Sequence, residues 1–294
     1  MNQTIAISYK QRKLEGIFYR SNTSGSRGCI FYFHGGGLVF GSSRDLPAPY
    51  RNLFQQAGFD LLSLAYPLAP ETSLCDILDA SRTWVEHIAA HPELCGYDTM
   101  PPYALFGRSA GAFLALNIAH RIRASKKEGI RMPFCVLSFY GYHTFLLPEF
   151  SRPAAAYTRL PAVPEAVVNR LIQSEAVTEG DLQTRYSIYI YARQQGTWTR
   201  FLGTPEEITS SCLSEEDLKE LPPCFFTASS ADQDVPFRES KYMAAHVPGS
   251  IFKPVYYLEH DFDRDTSRKE GMQVYRDALV WMDPLFPMSI PRPF

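Results

Sequence analysis

Ala104-Leu105-Phe106-Gly107-Arg108-Ser109-Ala110-Gly111 is an apolar strand running into a G-x-S-x-G turn and then into a small-residue helix, Ala110 to Ile122. In that setting a serine sits on a sharp strand-to-helix turn with its hydroxyl exposed at the carboxyl edge of a sheet. The flanking glycines let strand and helix backbones approach closely. The helix amino terminus favours negative charge developing beside the hydroxyl. The bland alternative is a glycine-rich turn carrying an inert serine, and the strand on one side and the helix on the other weigh against it.

Working outward, apolar strand-like runs alternate with helical ones. Gly28 to Phe33 (GCIFYF) and Asp60 to Ala65 are continuous apolar runs, as expected of strands covered on both faces, and Pro102 to Phe106, Pro133 to Tyr140, Pro223 to Ala228 and Phe252 to Leu258 read as further strands. Leu74 to Ala90 and Arg268 to Met282 read as amphipathic helices. Alternation of this kind predicts an α/β fold with a mostly parallel central sheet flanked by helices. Thr4 to Tyr9 and Leu14 to Tyr19 predict an antiparallel hairpin at the leading edge. The stretch 144–221 breaks the rhythm and carries Pro148, Pro153, Pro161, Pro164 and Pro205. It is too long for a plain connection, and it reads as a helical cap inserted into one domain, 1–294, with helices at Glu165 to Ser174 and Asp181 to Gln194. Its aromatics, Tyr157, Tyr186, Tyr189, Tyr191, Trp198 and Phe201, are read mostly as the cap's own core rather than as a substrate wall.

Composition narrows the function. Lys plus Arg is 29 against 31 for Asp plus Glu, a formal net charge of -2 over 294 residues. No basic surplus favours nucleic acid, no apolar run is long enough for a membrane span, and the start lacks a secretory pattern. The six cysteines form no C-x-x-C pair, so they read as small buried hydrophobes in a cytoplasmic protein, with no metal site. Oligomeric state is open, and a homodimer through edge strands or helices is compatible with the pattern.

A serine hydroxyl needs a base, and the base needs a carboxylate to orient it. Of the seven histidines, His87, His91 and His120 fall on predicted helices, His143 opens the insertion and His246 lies near a helix end. His260 follows a late strand at the expected sheet edge and is the candidate base, expected to titrate near its ordinary value of about 6.5. The loop after the preceding strand offers Asp232 and Asp234; Asp232 is preferred and Asp234 is the alternative, being equally placed to cap the helix that follows Pro236. Asp261 and Asp263 lie too close to His260 in the chain to orient it and read as solvated or structural. His34-Gly35-Gly36-Gly37 follows the GCIFYF strand directly. Glycine N–H groups there, with that of Ala110, can face a carbonyl oxygen as it gains charge. His34 itself reads as bonded to its own loop. A phosphate loop is disfavoured because no Gly-Lys-Ser/Thr follows. The chain order serine, acid, histidine is that of the α/β-hydrolases.

With HGGG, Tyr66-Pro67-Leu68-Ala69-Pro70-Glu71, GRSAG, Asp232 and His260 in place, the chain resembles the hormone-sensitive-lipase-like branch of the α/β-hydrolase superfamily, the bacterial carboxylesterases and acetyl esterases, over roughly residues 28–282. That resemblance implies the α/β-hydrolase fold, catalytic Ser109, Asp232 and His260, an oxyanion hole from Gly35, Gly36, Gly37 and Ala110 with Gly36 the firmest choice, a small-molecule ester substrate and no cofactor. Two residues depart from the branch. Arg108 stands where it usually has Asp or Glu, and either alters the entrance electrostatics or pairs with a carboxylate nearby. Pro67 stands where it usually has Arg. Since roughly 27 residues precede the HGGG strand, any lid is expected from the insertion. The same residues would serve an amidase, formamidase or peptidase-like hydrolase, which matched ester and amide substrates would separate. A non-catalytic ligand-binding member of the fold is disfavoured by the full set of three.

Overall fold

The computed structural model describes residues 2–125 and 127–287. Buried six-residue runs make the centre of the sheet. All residues of β3 (Gly28–Phe33), β4 (Phe59–Leu64), β5 (Tyr103–Arg108) and β7 (Cys224–Ser229) are buried, as are those of the shorter β6 (Val136–Phe139). The hairpin β1 (Gln3–Tyr9) and β2 (Arg12–Tyr19) lies at one edge and β8 (Ile251–Val255) at the other. The order is β1-β2-β4-β3-β5-β6-β7-β8. β1 to β2 and β2 to β4 are antiparallel, and every later pairing is parallel. This is the mostly parallel, helix-flanked sheet expected from the strand alternation, and it is the α/β-hydrolase fold that the resemblance implies.

Period-two alternation sends successive side chains to opposite faces of the sheet. Phe31 and Phe33 enter one core with Trp84, Phe113 and Leu116, while Ile30 and Tyr32 enter the other with Tyr50, Phe54 and Tyr275. The first face is covered by α2 (Leu74–Ala90) and α3 (Ala110–Ser125), the second by α1 (Ala48–Gln56) and α10 (Lys269–Met282). Helix α2 starts where the sequence placed it because the Ser73 hydroxyl accepts the Asp76 N–H, a side-chain cap.

Differences from the sequence reading are local. The strand expected over Pro133 to Tyr140 shortens to Val136–Phe139, and the last strand ends at Val255 rather than Leu258. Apolar Tyr256, Tyr257 and Leu258 lie beyond it, and Tyr257 adopts φ 63°, a left-handed backbone that a strand cannot hold. His91 caps α2 instead of lying within it. The proline-rich tail from Asp283 onward is described only to residue 287, so its end lies outside the described residues.

Between β6 and β7 the chain passes through α4 (Ala155–Thr158), α5 (Glu165–Leu171), α6 (Tyr186–Gln195), α7 (Pro205–Ser211) and α8 (Glu215–Lys219). The sequence reading does not include the first or the last two, although each of the last two begins with a capping box, Thr204 with Glu207 and Ser214 with Asp217. Helix α9 (Phe237–His246) precedes β8. Arg185 ties the insertion to the body. Its guanidinium grips Glu71 through two bonds of 2.8 and 2.7 Å and donates to the carbonyls of Ala69 and Val39, both at 2.9 Å. Gly41 and Gly180 add a two-bond bridge.

Trp84 is fully buried against the sheet, and its indole N–H donates to Ala65 O at 2.8 Å. Trp84→Ala is expected to cost about 4 kcal/mol, from the cavity plus an orphaned carbonyl, in a urea unfolding measurement.

Candidate active site

Strand β5 ends at Arg108, and Ser109 takes φ 53°, left-handed for a residue with a Cβ. Its N–H donates to Phe139 O at 2.8 Å and its carbonyl accepts Ala112 N–H at 2.9 Å, so the turn is bonded on both sides. Only glycine fits around it. A Cβ on Gly107 would overlap the Gly111 carbonyl, and one on Gly111 would overlap Phe33 O. The serine side chain thereby emerges at the carboxyl edge of the sheet, at the mouth of a cavity of about 730 Å³.

The loop after β3 borders the same cavity with Gly35, Gly36 and Gly37. His34 is buried, stacks on Tyr66 at 4.2 Å, and donates through Nδ1 to Gly35 O at 2.8 Å. Burial pushes its pKa down, keeping the imidazole neutral. Tyr66 OH donates to His34 O at 2.7 Å. His34 is therefore bonded within its own loop, as read from the sequence. Gly36 and Gly37 both have positive φ, and among the described residues neither N–H is bonded to a carbonyl.

His260 stands in the loop beyond β8. Its Nε2 is 2.8 Å from Ser109 Oγ, and its Nδ1–H donates to Asp232 Oδ2 at 2.6 Å. The Asp232 side chain is fully buried, and its Oδ1 accepts the N–H groups of Asp234 and Val235 at 2.8 and 2.9 Å. Those two bonds aim the carboxylate at the imidazole. The hydroxyl, imidazole and carboxylate, at positions 109, 260 and 232, thus form one bonded line. Burial disfavours the imidazolium, but the charge and hydrogen bond of Asp232 outweigh it, and the pKa of His260 is pushed up to about 9. The value near 6.5 expected for an unperturbed imidazole is replaced for that reason.

Asp234 makes no hydrogen bond to His260, nor does it cap α9, whose N-cap is Pro236 without a side-chain bond. It accepts Tyr157 OH at 2.8 Å and Tyr189 OH at 2.9 Å, and pairs with Arg193 at 3.2 Å. All three come from the insertion, and Tyr157 and Tyr189 form one cavity wall with Tyr186 while Arg193 is buried behind it. The six insertion aromatics therefore divide. Tyr157, Tyr186 and Tyr189 line the cavity, Tyr157 and Tyr189 being core members as well, whereas Trp198 is buried in the core with Tyr191 and Phe201 half-buried against it. Glu179, Asp181, Asp261 and Arg264 stand on the lining as well.

Arg108 pairs with carboxylates, at 3.0 Å from Asp263 and 3.6 Å from Asp45. Asp263 is completely buried, so the solvated reading of that residue is wrong and the structural one stands. Sequence reasoning singled out neither Tyr140 nor Asp45, both of which border the cavity; the one signal toward them was an arginine standing next to the serine.

A strained serine on a strand-helix turn, bonded to a histidine and through it to a buried acid, on a doubly covered parallel sheet, defines the α/β-hydrolase class of proteins. A family model described as alpha/beta hydrolase fold matches residues 30–251, and this chain belongs to that family, in its hormone-sensitive-lipase-like branch. Human hormone-sensitive lipase is 30% identical over 171 residues, which cover 56% of this chain and 15% of the lipase. A match to a Penicillium rubens non-reducing polyketide synthase, adrD, likewise takes in 6% of that protein. The chain thus spans a small part of these curated relatives. An alpha/beta hydrolase superfamily protein from Enterococcus faecalis is 31% identical, with 97% of this chain and 98% of that one covered and a TM-score of 0.79. A Staphylococcus aureus protein of unknown function is 29% identical, with 97% and 99% covered and a TM-score of 0.85.

NMR titration of the His260 ring is expected to show deprotonation centred near pH 9, because the neighbouring carboxylate favours the protonated ring. In Asp232→Asn that attraction is gone while burial remains, so the midpoint should fall to about 6.5 or below.

Proposed function

We propose that this protein is a serine carboxylesterase acting on small to medium acyl esters. The observation that carries the reading is the continuous line Ser109 Oγ to His260 Nε2 at 2.8 Å and His260 Nδ1 to Asp232 Oδ2 at 2.6 Å, open to a cavity. Ser109 attacks the acyl carbonyl while His260 takes the hydroxyl proton. Asp232 holds the ring with Nδ1 protonated, so that Nε2 is the free base, and stabilises the imidazolium. Charge forming on the carbonyl oxygen is met by the N–H groups of Ala110 and of two glycines among Gly35, Gly36 and Gly37, Gly36 being the firmest. A single donor of this type is worth about 3 kcal/mol. His260 then gives the proton to the departing alcohol, and a water deprotonated by His260 releases the acid from the acyl-enzyme.

Residues 144–221 act as the cap of the single hydrolase domain and limit the size of the substrate, with Tyr157, Tyr186 and Tyr189 as its inner wall. All six cysteines are free, in keeping with the cytoplasm as the site of action. Among the described residues no helix is long and apolar enough to cross a membrane, and a small ester is the proposed partner of the site.

Ser109→Ala should lower kcat on short p-nitrophenyl esters by about 10⁴-fold or more and abolish labelling by a fluorophosphonate. Near-normal turnover would defeat the assignment, and a matched anilide turned over faster than the ester would redirect it to amide hydrolysis. Since only the neutral imidazole accepts the serine proton, kcat/KM should rise with pH toward a midpoint well above 6.5, provided chemistry limits the rate. A midpoint that stays the same in Asp232→Asn would exclude the proposed pairing.

A further inference from the structure

We infer that Asp263, braced by Arg108 and Tyr140, is a positioning residue that sets His260 against Ser109; the inference rests on the esterase reading above. Four elements converge on this one buried aspartate. Its Oδ1 accepts Arg108 Nη2 at 3.0 Å and Tyr140 OH at 2.8 Å, and its Oδ2 accepts Tyr275 OH at 2.8 Å. Its backbone carbonyl accepts Tyr50 OH at 2.8 Å. Tyr50 and Tyr275 are themselves stacked at 4.0 Å, from α1 and α10. Arg108 Nε closes the ring by donating to Tyr140 OH at 2.6 Å.

The geometry gives this cluster a task beyond filling space. Asp263 stands three residues after His260. Two residues before His260, the Leu258 N–H is held by Ser229 Oγ at 3.0 Å, and the Ser229 hydroxyl returns a bond to Leu258 O. The loop carrying the imidazole is thus fastened on both sides of it. The Tyr140 ring packs edge-on against the imidazole at 4.8 Å, and its hydroxyl is held by the arginine and the aspartate together. Arg108 is also the neighbour of Ser109 in the chain. One guanidinium therefore fixes the turn that bears the hydroxyl and, through Asp263 and Tyr140, the loop and the face of the ring that must receive its proton.

Arg108 is consumed by this work. Its nitrogens are committed to Tyr140, Asp263, Tyr32 OH at 3.5 Å and the Asp45 carboxylate at 3.6 Å. A fork of donors in one plane is required, which a lysine ammonium lacks. The charged groups that act on His260 itself are Asp232, Asp234 and Asp261; Asp263 acts through position.

The test is steady-state hydrolysis of a short p-nitrophenyl ester by the whole protein, counted per active site by complete labelling with a fluorophosphonate. Tyr140→Phe deletes one oxygen and keeps the ring. Asp263→Asn keeps the shape and removes the charge. Misplacement of the order of an ångström costs up to about a hundredfold in rate, so kcat per labelled site should drop about ten- to a hundredfold with KM within about twofold. The pH midpoint of kcat/KM should move down as the pairing of His260 with Asp232 loosens. Arg108→Lys should recover only part of what Arg108→Met loses. Unchanged kcat per site and an unchanged pH midpoint in Tyr140→Phe and Asp263→Asn, with only a lower melting temperature, would overturn the proposal and leave the cluster purely structural. Should Asp263→Asn fail to fold, Tyr140→Phe alone decides. A wild-type protein that neither labels nor turns over any ester overturns the esterase reading instead.

Discussion

The left-handed turn at Ser109 is the constraint on which the rest of the structure depends. A residue with a side chain in that conformation is strained by about 1–3 kcal/mol, and it persists only where the surroundings over-determine it. Here they do. β5 feeds the turn from one side and α3 takes it up on the other, with the N–H bonded to Phe139 and the carbonyl to Ala112. The two flanking glycines let the backbones of β5, α3 and β3 come within contact of one another. The parallel centre of the sheet then brings the loops after β3, β7 and β8 to the same edge. The hydroxyl can meet an imidazole only because that edge is shared.

A second consequence of the edge is electrostatic. Asp232 is buried, yet two backbone N–H groups and the imidazole ring surround its oxygens. The Asp232 carboxylate beside the ring raises the proton affinity of the imidazole. The insertion contributes separately. Tyr157, Tyr189 and Arg193 close over Asp234, so the two acids of one short loop face different partners and do different physical work.

Much was legible in the residues themselves. The strand runs around Gly28 and Pro223, the helix Leu74–Ala90 and the leading hairpin recur in the structure with at most small boundary shifts. Each is carried by local signals: continuous apolar runs, period, a serine cap. The bond between positions 109 and 260 was inferred by elimination among seven histidines, using only which of them follows a late strand. The insertion was harder. Its helices are short, α4 having four residues and α8 five, and such segments hold their shape by packing rather than by propensity. The division of its aromatics between cavity and core was illegible for a related reason. Tyr189 and Tyr191 are two residues apart on one helix, and only the body beneath decides which of them is covered.

The sequence by itself determined the succession of sheet strands, the strained turn, the glycine-rich loop facing it and the chemical types of the reacting groups, because these follow from residue volume, backbone freedom and period along a few neighbours. Tertiary structure alone decided that Asp232 rather than Asp234 meets the imidazole, and that Arg108 is spent on Asp263, Tyr140 and Asp45. Those choices depend on side-chain directions between segments that lie as far as 155 residues apart. No local rule reaches across that span; the packing of helices and loops around the sheet does.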